Sequence, residues 1–398
     1  MIAFEDALQL LQNEAQAISR KQELCPLHEA QGRILAAEIR AKVSRPPANV
    51  SAMDGYAIRF GDLSKGETGL KCIGEVPAGR PFEPILQPGA AVRIFTGGVL
   101  PDGADHILPQ EIVTRDGDDI RFEDTSAQPR FVRQAGRDFK QGDVLISAGT
   151  RLGAAELALI AAANQDTVSV LKPLNIALLA NGNELRAPGS DLAKGELINS
   201  NPAGLGPLIR DWGGEVIDLG IAPDNKAAIK EMLTGADQAD IIVPIGGASV
   251  GAYDYMPAVF DALGFTSIFS KISVRPGKPV WFAKRDTQYV LGLPGNPASA
   301  FVCAHLFLRR LIEAQECSLP LIPARLTGEL SANGARTAFL RGKAELSQTG
   351  DFSVTPHADQ DSSLITPFLT ANCLIKRDAH ARSMRPGDRV SVIMIKPL

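Results

Sequence analysis

Apolar residues near the N-terminus recur at the spacing of one helical face, and they comprise Phe4, Ala7, Leu8 and Leu11. A second helical pattern runs from Arg33 to Ile39, before the helix-breaking run SRPPAN at 44–49. The segment GAAELALIAAAN at 153–164 returns to helical character. We therefore predict a discontinuous helical arm domain, built from residues 1–49 and 139–171.

Between these two parts the pattern changes to short alternating runs. Glycine and proline interrupt it repeatedly, as in KCIGEVPAGRPF and PGAAVRIFTGGVLPDGAD. Alternation over a few residues between such breakers is typical of short strands joined by turns. We predict that residues 50–138 form a β-rich domain inserted into the helical arm.

Residues 172–318 alternate strand and helix patterns. The apolar run NIALLA precedes a helix after NSNP, the strand EVIDLG precedes a helix after APDN, and the strand DIIVPI follows. This order predicts an α/β domain, a parallel sheet with helices on both faces. Ligands of such sheets bind at the loops after the strands. Those loops are NGNEL at 181–185, APDN at 222–225, GGASVGAYD at 246–254 and LPGNPAS at 293–299.

The segment 319–398 returns to short strands, separated by turns such as SANGA and RPGDR. We predict a separate C-terminal β-domain. The fold class that follows is a multidomain α/β plus β protein.

Composition excludes several classes of function. The chain has 398 residues, 45% hydrophobic and 22% charged, which is ordinary for a globular protein. A formal net charge of −4 argues against binding along nucleic acid or anionic lipid. No apolar stretch reaches the roughly 18 residues of a membrane span, and the N-terminal residues carry acids instead of a basic leader. We expect a cytoplasmic protein that binds neither nucleic acid nor membrane.

Cysteine and histidine give no sign of a metal site. The five cysteines form no C-x-x-C pair, and none of the five histidines pairs at i, i+4. A zinc site and a disulfide framework are therefore not indicated. Metals that prefer oxygen ligands remain open.

The loop GGASVGAYD suggests an anion site. Glycines after a buried strand let the backbone approach a ligand, and successive N–H groups at the next helix can bind a phosphate. The loop lacks both the GK[ST] ending of a P-loop and the GxGxxG pattern. The alternative is a tight turn that needs positive φ. Its neighbours favour a ligand, because Asp254 follows directly and Lys278 lies between prolines in PGKP.

Two more motifs lie in the predicted inserted domain. NVSAMDGYAI at 49–58 places Asp54 beside a glycine, and TGGVLPDGAD at 96–105 is a glycine-rich turn with a hydroxyl and acids. By itself an Asp-Gly pair is an ordinary turn signal.

Taken in order, SAMDGYA, TGG-x-x-P-x-GAD, GG-x-SVG-x-x-D, PGKP and LPGNP resemble the molybdopterin molybdenumtransferase family, also called MoeA and, in animals, the gephyrin E domain. The resemblance covers nearly the whole chain. It implies a homodimer with a helical first domain, an inserted β-rich domain, a molybdopterin-binding α/β domain and a C-terminal β-barrel. It implies a transferase that inserts molybdenum from molybdate into adenylylated molybdopterin, with Mg²⁺-dependent release of AMP. The partners implied are molybdopterin adenylyltransferase and molybdoenzymes.

The resemblance also implies roles for residues. Those matching catalytic positions are Asp54, Asp138, Glu184, Asp224, Asp254 and Lys278. Of these, Glu184, Asp224 and Asp254 would hold Mg²⁺ or position water. Residues that would contact substrate are Thr96, Gly97, Gly98, Gly246, Gly247, Ser249, Gly251, Arg275, Lys278, Pro294, Gly295, Asn296 and Pro297. The alternative for these acids is helix N-capping or solvation, above all for Asp224.

One departure from the family pattern affects the metal. The family commonly reads TGDEL where this chain reads NGNEL, so Asn181 and Asn183 replace a threonine and an aspartate. An asparagine oxygen accepts hydrogen bonds but brings no negative charge to a cation. A second hypothesis is therefore a paralogue that binds molybdopterin as carrier or scaffold and inserts metal poorly. A pure interaction scaffold would need an added linker or partner motif, and the sequence contains none that we identify.

Overall fold

The computed structural model describes residues 1–63, 68–77, 79–124, 127–247, 255–313 and 320–398. Its chain divides into two compact units, one of Met1–Lys21 with Lys172–Leu398 and one of Gln22–Leu171. Across the described ranges, no helix has both the length and the apolar character needed to cross a lipid bilayer.

The first helix, α1 (Phe4–Ala17), follows the predicted pattern. Its buried residues are Phe4, Ala7, Leu11 and Ala15, spaced three and four apart. The Phe4 ring packs against Phe339, with 4.8 Å between ring centroids. This packing places α1 in the unit of Lys172–Leu398, whereas the sequence assigned it to a domain with residues 22–49 and 139–171. The four-domain division otherwise stays a prediction.

The unit Gln22–Leu171 is built mainly of strands. Its strands are β1 (Gln22–Pro26), β2 (Ile39–Arg40), β3 (Val50–Ser51), β4 (Gly55–Ile58), β5 (Gly69–Val76), β6 (Ala90–Ile94), β7 (His106–Pro109), β8 (Val113–Asp116), β9 (Asp119–Phe122), β10 (Val132–Arg133), β11 (Val144–Ile146) and β12 (Thr167–Leu171). A six-stranded sheet has the order β7-β4-β6-β5-β9-β8, and three antiparallel pairs join β1 to β12, β2 to β11 and β3 to β10. Its helices are α2 (Phe60–Leu63) and α3 (Ala154–Ala162), with 3-10 turns at Leu27–Glu29 and Gln110–Ile112.

The predicted helix from Arg33 to Ile39 is wrong. Leu35 donates its backbone N–H to the Thr150 carbonyl at 3.0 Å, and Ala36 donates to the Ser169 carbonyl at 2.9 Å. A helix would direct these N–H groups to carbonyls four residues earlier. Leu35 and Ile39 are buried, so their helical spacing reflects a shared core reached from an extended chain.

The α/β part of the other unit contains the strands β13 (Leu174–Asn181), β14 (Leu185–Arg186), β15 (Leu197–Ile198), β16 (Gly214–Ala222), β17 (Ile241–Ile245), β18 (Thr266–Phe269), β19 (Val274–Arg275), β20 (Trp281–Arg285) and β21 (Gln288–Gly292). Its six-stranded sheet has the order β16-β13-β17-β21-β20-β18 and is parallel over the first four strands. Its helices are α4 (Asn201–Asp211), α5 (Lys226–Met232), α6 (Met256–Ala262), α7 (Pro297–Cys303) and α8 (Arg309–Glu313), with a π-helical turn at Ala304–Leu308 and a 3-10 turn at Leu233–Ala236.

Both faces of this sheet are covered. Leu178 of β13 packs in one core with α4 and α7, while Leu179 packs in a second core with α5 and α6. Successive side chains of a strand point to opposite faces, so a strand buried on both faces is a continuous apolar run. The runs NIALLA and IIVPI have this character.

The C-terminal part is a closed β-barrel. Its strands are β22 (Ile322–Leu326), β23 (Thr337–Leu346), β24 (Phe352–Pro356), β25 (Cys373–Arg377) and β26 (Arg389–Met394), with a 3-10 turn at Thr366–Leu369. They pair in the cycle β23-β24-β22-β26-β25-β23, and β19 pairs with β23 in parallel. The predicted fold class, with a parallel α/β domain, an inserted β-rich part and a C-terminal barrel, is confirmed.

We predict that Leu11→Ala will destabilise the unit that contains α1. Leu11 is fully buried, and removing a buried leucine side chain costs about 2–5 kcal/mol. Urea unfolding of the full chain would measure the shift of the midpoint. Gln16→Ala is the control, because Gln16 is exposed on the opposite side of the same helix. Equal midpoints for the two variants would show that α1 is not anchored by this face.

Candidate functional site

A cavity of about 560 Å³ lies at the carboxyl ends of the parallel strands. We call it the strand-end cavity. Three of the predicted loops contribute to it, because parallel strands end at one edge of the sheet. Its described lining includes Asn181, Glu184, Leu185, Leu197, Ile198, Asn199, Ser200, Asn201, Gly246, Gly247, Pro279, Pro294, Gly295, Asn296 and Pro297.

The glycines of this lining permit close approach of the loops. Gly246 and Gly247 have φ of +91° and +64°, which favours glycine. A Cβ on Gly246 would lie 2.9 Å from the Asn181 carbonyl oxygen, and one on Gly247 would lie 2.5 Å from Asn181 Oδ1. Positive φ fits the tight-turn alternative, but both glycines also line the cavity. Predicted residues Ser249, Gly251 and Asp254 lie outside the described residues.

Asn183 and Asp224 tie two strand-end loops together. The backbone N–H of Asp224 donates to Asn183 Oδ1 at 3.0 Å, and the backbone N–H of Asn183 donates to Asp224 Oδ2 at 3.3 Å. The side chain that caps α5 belongs to Asn225, which accepts from the N–H groups of Ala227 and Ala228. Asp224 therefore does not cap the helix, and Asn183 has a structural role at the loop junction.

The three acids predicted to hold a metal are only partly brought together. Glu184 lines the strand-end cavity, whereas Asp224 is absent from its described lining. Within the ranges that the structure describes, no group of three or more histidine, cysteine, aspartate or glutamate residues is arranged to bind a metal ion. The set of Glu184, Asp224 and Asp254 stays a prediction.

A second cavity, of about 350 Å³, adjoins the first and shares Pro279 with it. We call it the basic cavity. It brings together the predicted Arg275 and Lys278 with two arginines that the sequence analysis missed, Arg336 and Arg341. Its described lining contains no acid, so its charge is strongly positive. Other polar residues of this lining are Ser299, Gln360 and Ser362.

Arg341 holds the loop that borders both cavities. It is 2% exposed, and it donates to the carbonyls of Leu364 at 2.7 Å, Asp361 at 2.9 Å and Asp359 at 3.2 Å. Burial lowers the pKa of its guanidinium. The same loop accepts a hydrogen bond from Asn296 Nδ2 at Ser362 Oγ, 2.9 Å away. A lone arginine in the apolar strand pattern TAFLRGKAEL was the sequence signal for this residue.

From the sequence alone, the run NSN at 199–201 predicts only the start of a helix. Asn199, Ser200 and Asn201 all line the strand-end cavity. Asn201 is buried, and its Nδ2 donates to the Gly295 carbonyl at 2.8 Å. This bond connects α4 to the LPGNP loop. Polar residues between an apolar strand and a helix are the signal that would have identified them.

The unit Gln22–Leu171 contains the remaining predicted residues. Asp54 Oδ1 accepts hydrogen bonds from the backbone N–H of Thr96 at 2.7 Å and from its hydroxyl at 2.8 Å. Both bonds lower the pKa of Asp54, and the backbone bond has the larger effect. Oδ2 of Asp54 has no protein partner within the described ranges. Thr96 therefore directs both donors to a neighbouring carboxylate, while one carboxylate oxygen stays available.

Gly97, Gly98 and Asp138 occupy different surroundings in that unit. Gly97 donates its N–H to the Ser51 carbonyl at 2.9 Å, which joins the TGG turn to the SAMDGYA loop. A Cβ on Gly98 would lie 2.9 Å from the Phe95 carbonyl oxygen, so this position needs glycine for packing. Asp138 is exposed and lies 3.7 Å from Arg45 Nε, an ion pair that contributes little by itself.

Three family profiles match this chain. They are the MoeA N-terminal region (domain I and II) at residues 2–164, a probable molybdopterin binding domain at 177–314 and the MoeA C-terminal region (domain IV) at 323–395. The molybdopterin molybdenumtransferase of Haemophilus influenzae is 34% identical over 373 residues, with 92% of each chain covered. That of Nostoc sp. is also 34% identical, with 81% of this chain and 77% of the relative covered.

Solved structures agree with these matches. Two structures of molybdopterin biosynthesis MoeA protein from Pyrococcus horikoshii superpose with TM-scores of 0.86 and 0.79. They are 29% and 26% identical to this chain, cover 100% and 99% of it, and are themselves covered completely. The similarity therefore extends over the whole fold.

We predict that Thr96→Val will raise the pKa of Asp54. The change removes the hydroxyl donor that stabilises the ionised carboxylate, whereas Thr96→Ser keeps it. Titration of ¹³C-labelled aspartate by NMR would measure the pKa in each variant. Thr150→Val is the control, because its hydroxyl donates to the Ser147 carbonyl and not to an acid. An unchanged pKa in Thr96→Val would show that the hydroxyl does not support the carboxylate.

Proposed function

Because this chain belongs to the molybdopterin molybdenumtransferase (MoeA) family, we propose that it inserts molybdenum from molybdate into adenylylated molybdopterin, with Mg²⁺-dependent release of AMP. The main observation that supports the proposal is a pair of adjoining cavities that share Pro279. One is lined by glycines, amides and apolar side chains, which would suit a phosphate and a ring, and the other is basic. The reaction needs such a pair, since it joins an oxyanion to a phosphorylated heterocycle.

The strand-end cavity would bind adenylylated molybdopterin. Gly246 and Gly247 expose backbone to the ligand, and the first turn of α4 begins at the cavity wall with Asn201. Free N–H groups at a helix start favour phosphate. Leu185, Leu197 and Ile198 give an apolar surface for a planar ring. The match to a probable molybdopterin binding domain covers this whole region.

The basic cavity would bind molybdate. Arg275 and Lys278 are exposed at its surface and attract a dianion, while Ser362 offers a hydroxyl donor. Arg341 has most of its donors engaged by loop carbonyls, so its main contributions are fixed positive charge and the position of Ser362. Since the cavity adjoins the strand-end cavity at Pro279, molybdate would lie beside the bound substrate.

Mg²⁺ would neutralise charge on the phosphate that links AMP to molybdopterin and would activate a water molecule. The residues fit a hard cation in part: Glu184 offers a carboxylate at the cavity wall, and Mg²⁺ commonly binds one or two carboxylates together with waters and substrate phosphates. We propose Glu184 and Asp254 as these carboxylates. Asp224 would act through its bond to the Asn183 N–H, which positions the loop of Glu184.

In the other unit, we propose Asp54 as a catalytic carboxylate that Thr96 orients and that keeps one oxygen available. We also propose that the chain acts as a homodimer, and that molybdopterin adenylyltransferase supplies its substrate and molybdoenzymes receive its product. The paralogue hypothesis rests on the neutral Asn183. Its amide holds the loops together but adds no charge near Glu184, so a carrier would bind molybdopterin and release little AMP.

We predict that Asp254→Asn will abolish Mg²⁺-stimulated AMP release. The substitution removes a charge from a strand-end loop and should leave the core intact. AMP release from adenylylated molybdopterin, with molybdate and Mg²⁺, would be followed in both variant and wild type. Asp237→Asn is the control, because Asp237 is an exposed acid outside both cavity linings. Normal turnover in Asp254→Asn would exclude this acid from the site, and no turnover in the wild type would favour the carrier.

We predict that Lys278→Ala will raise the KM for molybdate by about tenfold or more. A hydrogen-bonded charge contributes roughly 1.5–3 kcal/mol, and a tenfold change corresponds to about 1.4 kcal/mol. The effect should be largest at low salt, where charge is least screened. Lys271→Ala is the matched control, because this exposed lysine lies outside the basic cavity. An unchanged KM at low salt would place molybdate elsewhere.

A further inference from the structure

Two buried asparagines line the strand-end cavity, and each has an unpartnered oxygen. Asn181 is 5% exposed and Asn201 is 6% exposed. In the described part of the chain, Oδ1 of both residues lacks a hydrogen-bond donor. Most buried polar atoms in folded proteins are paired, so two unpaired acceptors on one cavity need an explanation. The phosphate and metal roles proposed above use neither oxygen.

The orientation of both amides is determined by their nitrogen atoms. Nδ2 of Asn181 donates to the carbonyls of Ala222 at 3.2 Å and Pro223 at 3.3 Å. Nδ2 of Asn201 donates to the carbonyl of Gly295 at 2.8 Å. A carbonyl can only accept, so rotating either amide by 180° would set two oxygens against each other. Oδ1 is therefore the atom that each side chain leaves unpaired.

Gly247 leaves space beside one of these oxygens. A Cβ at this position would lie 2.5 Å from Asn181 Oδ1, and the φ of +64° also disfavours any side chain. The oxygens themselves are closed off from bulk water. Contact with a ligand in the cavity therefore requires each amide to rotate slightly.

We propose that Asn181 Oδ1 and Asn201 Oδ1 accept hydrogen bonds from the 2-amino group and the N3–H group of the substrate's pterin ring, an inference that rests on the proposed function. These two donors are adjacent on the pyrimidine edge of a pterin. The corresponding edge of adenine presents one donor beside one acceptor, so two acceptor oxygens match it poorly. The two asparagines would thus assign the pterin to this part of the strand-end cavity and the adenine to another.

The residue at 181 departs from the common family pattern, and this departure affects the recognition proposed here. A threonine, which the family commonly has in this loop, can donate or accept through its hydroxyl. Asn181 has its donors engaged by Ala222 and Pro223, and therefore it can only accept from a ligand. The departure from the family pattern changes which substrate groups fit this wall.

The test compares pterin with lumazine, in which a carbonyl oxygen replaces the 2-amino group. Equilibrium binding to the full chain should favour pterin by about tenfold or more, because lumazine leaves an acceptor unpaired and adds another. Asn181→Leu and Asn201→Leu should each reduce this ratio toward one. The ratio of the pterin and lumazine affinities is compared because loss of an amide nitrogen can also weaken the local fold and so reduce the binding of both probes. Asn181→Thr is a variant that should disturb the local fold less.

Asn175→Leu is the matched control, because its amide also donates to a carbonyl, that of Gln238 at 3.1 Å, but does not line the cavity. It should keep the full ratio. Equal binding of pterin and lumazine by the wild type, or an unchanged ratio in both cavity variants, would overturn the proposal. AMP is the third probe, and if Asn181→Leu weakens AMP as much as pterin, the oxygens do not distinguish the pterin edge.

The outcome for the pterin edge is separable from the outcome for the proposed function. If the wild type releases AMP in the transfer assay but binds both probes equally, the assignment of these oxygens fails and the function stands. If the wild type selects pterin but releases no AMP, the assignment stands and the proposed transfer fails.

Discussion

The parallel pairing of β13 with β17 is the constraint on which the candidate site depends. Ile176 pairs with Ile241 and Ala180 with Ile245, so both strands end at the same edge of the sheet. Both strands are buried on their two faces, which removes any freedom to slide in register without burying polar loops. Asn181, at the end of β13, and Gly246, directly after β17, are neighbours for this reason.

Close contact between loops then shapes the strand-end cavity. Gly246 packs closely against the Asn181 carbonyl oxygen and the Cα of Gly295. A side chain at position 246 would therefore push these loops apart. Polar bonds complete the arrangement, since Asn183 and Asp224 join one pair of loops and Asn201 joins α4 to Gly295. The cavity is thus a consequence of short backbone separations and fixed amides.

The barrel contributes part of the lining of the basic cavity. Strand β19 ends at Arg275 and pairs with β23, which carries Arg341. The buried guanidinium of Arg341 holds the loop of Ser362, and Asn296 binds that same serine from the α/β side. Pro279, which follows β19 in the chain, lines both the basic cavity and the strand-end cavity.

Much of this protein was determined by local pattern in the sequence. The apolar run NIALLA predicts a strand buried on both faces, the spacing from Phe4 to Leu11 predicts α1, and the ordered motifs identify the family, because each depends on neighbouring residues alone. The same means predict Arg275, Lys278 and residues 294–297 of LPGNP as site residues, and the structure shows that they line two adjoining cavities. The segment 33–39 could not, since its helical spacing arises from a core that distant strands supply, and neither could the unit to which α1 belongs. The hydrogen-bond partners of Arg341, Asn181 and Asn201 were decided only by tertiary structure. Whether a buried guanidinium or amide is engaged or left unpaired depends on carbonyls far away in the chain, such as Leu364, Ala222 and Gly295, and sequence spacing contains no information about which of them it will meet.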